Sequence, residues 1–133
     1  MICGGSQDMM FDTDVIIWAI RGNVNAAKAI DSAGAVCIST VTYIELIEVA
    51  QSKEDLRRIK SYLTGLKTEV IPLNENIGHR AVIYVEEYGL KTGMKLPDAL
   101  IAATAAEKGM ELCAGNVKDF REIKELKIKP FRA

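Results

Sequence analysis

The sequence predicts an α/β fold in which a central parallel β-sheet is flanked by helices on both faces. Short apolar runs of strand length alternate along the chain with longer segments whose apolar residues recur at helical spacing. This alternation builds parallel βαβ units, whose connecting helices cover both faces of the sheet. At 133 residues, the chain has the length of one domain and can bury roughly two thirds of the surface that its unfolded form exposes.

Five strands are predicted where short apolar runs lie between turn-forming segments. They are residues 9–11, 35–38, 69–71, 112–114 and 128–130. The first, second and fourth runs contain no charged residue, as expected for strands that are buried on both faces.

Helices are predicted between the strands, where apolar residues recur every three to four positions. They are residues 13–20, 25–33, 40–51, 53–66, 75–88 and 97–108, with a short turn after Asp119. Gly34, Gly65, Gly89 and Gly109 are the predicted stops, because glycine readily adopts the left-handed conformation that ends many helices.

Residues 9–133 are predicted to form this single domain, and residues 1–8 to precede it as an extension or a non-native start. The first six residues have neither a basic start nor a long apolar core, so they resemble neither a signal peptide nor a membrane span. Cys3, Cys37 and Cys113 make an odd count without metal-binding spacing. A reducing, cytoplasmic setting is the simplest expectation.

Acidic residues lie at or near the junctions between predicted strands and the helices that follow them. Asp12 and Asp14 follow the first strand, and Glu45 lies one turn into the helix after the second. Asp119 follows the fourth strand. Ligand sites in open parallel sheets lie beyond the carboxyl ends of the strands, so we expect these residues to share one edge. Asp98 joins them if its helix begins beside the same crevice.

Three of these acids, taken singly, also fit ordinary helix starts. Asp12 can cap the helix that follows it. Asp98 comes directly after Pro97, in a first turn where a carboxylate complements the helix dipole. Asp119 with Glu122 resembles a capping box, so stability alone can account for its position.

Glu45 is harder to explain as a structural residue. Val41 and Val49 lie one turn to either side of it, so it sits on or beside the apolar stripe of its helix. A carboxylate there is costly unless a cation or a hydrogen-bond donor meets it. Glu48 is the better candidate for an acid that simply faces solvent.

Four or five carboxylates at one edge repel one another, at about 4 kcal/mol per pair for a separation of about 4 Å and an effective dielectric of about 20. A divalent cation removes this conflict. The candidate ligands are all oxygens, because the sole histidine, His79, lies within a predicted helix where a surface or structural role is expected. Oxygen ligands favour Mg²⁺ or Mn²⁺ over Zn²⁺, and such ions commonly hold substrate phosphates and activate water.

The net charge of −1 does not by itself indicate nucleic-acid binding. The charge distribution is more informative, because six basic residues and only three acids lie near the C-terminus, beside the proposed site. The six are Lys118, Arg121, Lys124, Lys127, Lys129 and Arg132. They form either a phosphate-binding surface or a solvated face of alternating charge.

Four motifs, in this order, resemble the PIN-domain nucleases, and most of all the single-domain ribonuclease toxins of VapB–VapC type toxin–antitoxin pairs. The motifs are Phe11-Asp12-Thr13-Asp14-Val15-Ile16, Ser39…Thr42…Glu45-Leu46, Asp98-Ala99-Leu100-Ile101-Ala102-Ala103 and Asn116…Asp119-Phe120. The resemblance covers residues 9–132. It implies a PIN-like parallel sheet, RNA cleavage dependent on Mg²⁺ or Mn²⁺, a homodimer, and a small antitoxin protein that blocks the site.

The resemblance also implies roles for individual residues. Catalysis and metal binding fall to Asp12, Glu45, Asp98 and Asp119, the last completing a second or water-mediated site. Orientation of ligands and water falls to Thr13, Asp14 and Asn116. One position departs from the family pattern, since Ala114 stands where a threonine is common, two residues before the asparagine. A hydroxyl that could bind a ligand or water is therefore missing.

Two other functions fit parts of the pattern. Asp12-Thr13-Asp14 after a strand also opens haloacid-dehalogenase-like phosphatases, but the expected Gly-Thr continuation is absent. A catalytically weak or inactive PIN-like module that binds RNA or protein is the closer rival, and a divalent-ion titration separates it from an enzyme.

The two helices predicted at 40–51 and 53–66 carry more apolar residues than one face of a small sheet needs. These are Val41, Tyr43, Ile44, Ile47, Leu56, Ile59, Tyr62, Leu63 and Leu66. They form either a groove for an amphipathic segment of an antitoxin or ordinary core packing with a homodimer contact. An antitoxin in such a groove can silence the enzyme by placing an arginine among the carboxylates.

Overall fold

The computed structural model describes residues 8–133, and its sheet has five short strands. They are β1 (Met9–Phe11), β2 (Val36–Ser39), β3 (Glu69–Ile71), β4 (Glu111–Ala114) and β5 (Ile128–Pro130). The strand order is β3-β2-β1-β4-β5, and every neighbouring pair is parallel. The predicted parallel α/β sheet is confirmed. The extension predicted at residues 1–8, and Cys3 within it, lie outside the described residues except for Asp8.

Six α-helices and one short 3-10 helix connect these strands within residues 8–133. They are α1 (Thr13–Ile20), α2 (Val24–Asp31), α3 (Thr40–Glu48), α4 (Lys53–Gly65), α5 (Glu75–Thr92), α6 (Leu96–Glu107) and the 3-10 helix η1 (Val117–Asp119). Polar side chains begin several of them: Asn23, Ser39, Ser52 and Asn74 each accept a hydrogen bond from a backbone N–H in the first turn.

Helix α5 ends later than predicted. It continues through Gly89 to Thr92, and Gly93, with φ of 79°, provides the left-handed end. Glycine inside a helix costs only about 1 kcal/mol, and the packing of Tyr88 against the core offsets it. The predicted stop at Gly89 is therefore wrong, whereas the stop at Gly109, with φ of 63°, is confirmed.

The core lies on both faces of the sheet, because successive strand residues point to opposite sides. Met10, Cys37 and Leu112 pack on the face covered by α5 and α6. Phe11 and Ile38 pack on the other face, under α1 to α4. This double burial explains why the predicted inner strands contain no charged residue.

Two further expectations concern cysteines and membranes. Cys113 is a buried free thiol, but Cys37 is disulfide-bonded, which departs from the reduced cysteines expected from the sequence. None of the helices in residues 8–133 has the length and apolar character that crossing a membrane requires.

Candidate metal and catalytic site

An acidic cleft of about 260 Å³ opens at the carboxyl edge of the sheet. All seven predicted site residues line it. They are Asp12, Thr13, Asp14, Glu45, Asp98, Asn116 and Asp119, and the remaining lining residues are Ile17, Glu48 and Val49. The predicted convergence of these residues on one edge is therefore present in the structure.

The sheet topology explains this convergence. From the central strand β1, the chain runs to β2 on one side, whereas β4 pairs with β1 on the other side. The order therefore reverses beside β1, and such a reversal leaves a crevice at the carboxyl ends of the strands. Asp12 directly follows β1, and Asn116 follows β4 by two residues.

Asp12 is the most buried of the acids, with 7% of its surface exposed. Its Oδ1 accepts a hydrogen bond from the backbone N–H of Thr13 at 2.9 Å, so it does cap α1. Burial raises the pKa of Asp12 to about 7, and the charges of Asp14, Asp98 and Glu45 act in the same direction. The ordinary capping role is thus correct, and it coexists with an unusual electrostatic environment.

Glu45 has the hydrogen-bond donor that its position in the sequence requires. The Thr13 hydroxyl donates to Glu45 Oε1 at 2.6 Å. The hydroxyls of Thr13 and Thr42 are also hydrogen-bonded, at 3.0 Å. This network joins the start of α1 to α3 and holds the Glu45 carboxylate in the cleft.

Asp98 lies in the first turn of α6 and is half-buried. Burial raises its pKa, and the nearby charge of Asp119 raises it further. Pro97 is the second helical residue rather than the first, because α6 begins at Leu96. The predicted position of Asp98 at a helix start is otherwise confirmed.

Asp119 does not form the predicted capping box. It is the last residue of η1, so it follows the short helix instead of preceding one. Its Oδ2 accepts a hydrogen bond from Asn116 Nδ2 at 2.6 Å. This bond links two residues that both line the cleft, Asn116 and Asp119.

Glu48 is a cleft residue that the sequence interpretation missed. It is exposed, as expected, but it also lines the cleft beside Glu45. The signal was available, because residues three positions apart on a helix share a face. Ile17 and Val49 form the apolar rim of the cleft.

Among residues 8–133, no lysine, arginine or histidine lines this cleft. His79 lies on α5, is exposed, and has its Nε2 3.6 Å from Oε1 of Glu75, so it takes the surface role expected for it. Within residues 8–133, no three Asp, Glu, His or Cys side chains converge closely enough to hold one metal ion together. The predicted ligands therefore share a cleft without meeting at one point, and Glu45 and Asp119 are each hydrogen-bonded to a neighbouring side chain, Thr13 and Asn116 respectively.

Comparison with known proteins identifies the family of this fold. The model of the PIN domain family matches residues 9–126. The chain therefore belongs to the PIN domain family. This membership excludes the phosphatase alternative.

Within this family, the chain is similar to two proteins named as ribonucleases. The chain is 33% identical over 127 residues to Ribonuclease VapC1 of Rickettsia felis, covering 90% of this chain and 93% of that protein. It is 33% identical over 126 residues to Ribonuclease VapC10 of Mycobacterium tuberculosis, covering 90% of each.

Solved structures show the same fold. A toxin–antitoxin complex from Klebsiella pneumoniae superposes with a TM-score of 0.81 at 29% identity, covering 95% of this chain and 100% of that chain. VapBC-1 from nontypeable Haemophilus influenzae superposes with a TM-score of 0.77 at 25% identity, covering 92% and 96%.

Proposed function

We propose that this chain is a metal-dependent endoribonuclease of the VapC type, the toxin of a toxin–antitoxin pair, and that it acts in the cytoplasm. The observation that carries the proposal is the single cleft that all seven predicted residues line, with no basic side chain from residues 8–133 among its lining. Membership of the PIN domain family and relatives named ribonucleases support it.

The donor set of the cleft fits Mg²⁺ or Mn²⁺. Its polar side chains offer carboxylate, hydroxyl and amide oxygens, which these hard cations prefer, and no thiolate or imidazole for zinc. Asp12, Glu45 and Asp98 are the proposed ligands of one ion. Because these carboxylates share the cleft without converging on one point, the proposal requires them to move together when the ion binds. Asp119 completes a second or water-mediated site. A divalent ion at such a site polarises a phosphoryl oxygen and lowers the pKa of bound water.

The residues of the chain prepare the site before substrate arrives. The capping bond to Thr13 fixes Asp12 at the end of β1, and the Thr13 hydroxyl positions Glu45. Asn116 positions Asp119 in the same way. Ala114 is fully buried and offers no hydroxyl, so this chain lacks one hydrogen bond that a threonine there can make.

We propose a homodimer formed through α5. This helix and the start of α6 expose large apolar side chains that no other part of residues 8–133 covers. They are Val82, Ile83, Val85, Leu90 and Leu96, exposed by 59%, 49%, 41%, 105% and 68%. Exposed apolar side chains of this size commonly mark a protein interface where they form one patch.

We propose a second surface for the antitoxin, a groove of about 220 Å³ between α1, α3 and α4. Ile17, Ile20, Leu46 and Ile59 provide its apolar part, and it shares Ile17 and Val49 with the acidic cleft. A helix lying in it therefore ends near the carboxylates, where an arginine of the antitoxin can pair with them. Of the apolar residues that predicted a groove from sequence, only Ile59 lines this one, because α1 forms its other wall.

Substitution of Asp98 tests the nuclease proposal. Single-stranded and structured RNAs are incubated with the protein in Mg²⁺, in Mn²⁺ and in EDTA. We expect cleavage only with metal, and none by Asp98→Asn, whose melting temperature should be no lower than that of the unsubstituted protein. The matched control is Asp31→Asn, an exposed aspartate outside the cleft, which should cleave normally.

Two results would contradict the proposal. Wild-type cleavage by Asp98→Asn means that Asp98 only stabilises a helix start. RNA binding without cleavage by the unsubstituted protein in either metal identifies the chain as a non-catalytic binding module. For the partner, the product of the neighbouring open reading frame should co-purify with the chain and suppress its RNase activity.

A further inference from the structure

A second, larger cleft lies beside the acidic one. Its volume is about 410 Å³, and it is lined by Lys91, Thr92, Lys118, Arg121 and Glu122. Lys91 and Thr92 come from the end of α5, whereas the other three come from η1 and the segment after it. We refer to it as the basic cleft.

The basic cleft carries uncompensated positive charge. Lys91 Nζ lies 3.7 Å from Glu122 Oε1, so these two side chains offset each other. Lys118 and Arg121 are exposed, and neither forms an ion pair within the part of the chain that the structure describes. Two cationic groups therefore remain available to a ligand.

Both segments that line the basic cleft are close in sequence to residues that line the acidic cleft. On one wall, Lys118 precedes Asp119 in η1, so their Cα atoms are about 3.8 Å apart. On the other wall, Thr92 ends α5, and Gly93 turns the chain toward α6, whose first turn carries Asp98. The two clefts are therefore close to each other along both of these segments.

The two clefts interact differently with an anionic substrate, because one carries negative charge and the other positive charge. The acidic cleft is lined by six carboxyl groups and no cation, so by itself it repels a phosphodiester chain. Most of the affinity for a single-stranded nucleic acid comes from cationic contacts to phosphates or from stacking on aromatic rings. No aromatic residue lines the basic cleft, which leaves phosphate contact as its mode of binding.

We propose that the basic cleft binds a backbone phosphate of single-stranded RNA that flanks the bond to be cleaved, through Lys118 and Arg121. This inference rests on the proposed ribonuclease function and extends it, since it specifies which side of the active site the strand follows. Glu122 and Lys91 border the bound phosphate, and their mutual attraction limits their own contribution.

Binding and cleavage are measured separately to test the proposal. Binding of a short fluorescent single-stranded RNA is followed by anisotropy in an Asp98→Asn background, so that cleavage does not interfere. In this background, Lys118→Gln/Arg121→Gln is compared with Lys124→Gln/Lys127→Gln. The second pair removes the same charge from the same exposed segment but lines neither cleft.

The expected effect follows from counterion release, at a slope of about 0.7 per phosphate contact on a single strand. Losing this one phosphate contact lowers the salt slope by about 0.7 and weakens binding about 5-fold at about 0.1 M salt. The control pair should bind like the parent. Equal binding by the two double variants would overturn the proposal and assign the basic cleft to another anion, such as an acidic protein segment.

The two proposals fail in different ways. If the unsubstituted protein cleaves RNA but Lys118→Gln/Arg121→Gln binds as the control pair does, the basic cleft is not a phosphate site and the nuclease stands. If the unsubstituted protein never cleaves RNA but the difference in binding persists, the basic cleft stands and the nuclease does not.

Discussion

Replacing Asp12 by asparagine should stabilise the folded protein while removing its proposed activity. Asp12 is almost fully buried, and its pKa rises from 3.8 to about 7, chiefly because burial penalises the charged form. Asparagine keeps an oxygen that can accept the Thr13 N–H, and it is as good a helix cap as aspartate. The substitution therefore removes the charge and keeps the capping bond.

The expected gain in the free energy of unfolding follows from the shift in the pKa of Asp12. A shift from 3.8 to about 7 is roughly three units, and each unit is 1.36 kcal/mol, which gives up to about 4 kcal/mol. Because the folded state holds its proton more tightly than the unfolded state, the contribution of Asp12 to stability is complete below about pH 4. This contribution is lost as the pH rises through about 7, where the Asp12 carboxyl of the folded protein loses its proton. Asparagine does not titrate, so it escapes this loss.

Urea unfolding in EDTA at pH 8 and at pH 4 measures the effect. We expect Asp12→Asn to unfold with a free energy up to about 4 kcal/mol higher than wild type at pH 8, and with nearly the same value at pH 4. Mg²⁺ should then stabilise wild type at pH 8 and not the variant. The control Asp31→Asn replaces an exposed aspartate at the end of α2, and it should shift stability by about 1 kcal/mol or less.

The reasoning is refuted if Asp12→Asn is no more stable than wild type at pH 8 in EDTA. That result would mean that Asp12 ionises in the folded protein without penalty. A stabilisation of equal size at both pH values would point instead to better capping, since capping does not depend on the charge of Asp12.

Three further outcomes are expected. Thr13→Val removes the hydroxyl that binds Glu45, so it should cost about 1.5–3 kcal/mol in urea unfolding and weaken metal binding 10–100-fold, whereas the exposed control Thr64→Val should change neither. Mg²⁺ or Mn²⁺ at 100 times its dissociation constant should stabilise the fold by about 2.7 kcal/mol, and a melting temperature unaffected by either ion would favour the non-catalytic binding module. Ile83→Lys, on the exposed face of α5, should give monomers in light scattering, and persistent dimers would remove that face as the contact.

The sequence carried most of the information about the fold and the site residues. Strand-length apolar runs and helical spacing are local patterns, and they located every described strand to within one residue at either end. A local pattern also identified Glu45 as a candidate site residue, because a carboxylate on the apolar stripe of a helix requires a cation or a hydrogen-bond donor. A local pattern does not show where tertiary packing overrides a local conformational preference. For this reason the sequence predicted that α5 ends at Gly89, whereas the helix continues through it.

The tertiary structure alone decided how the acids interact. The burial that raises the pKa of Asp12, the Thr13 hydroxyl that reaches Glu45, and the position of Asp119 at the end of η1 all depend on contacts between distant segments. The sequence alone therefore identifies the residues of the site, because local patterns are enough to locate them. The fold determines their pKa values and mutual interactions, because burial and the proximity of charges arise only when β1, α3 and α6 pack together.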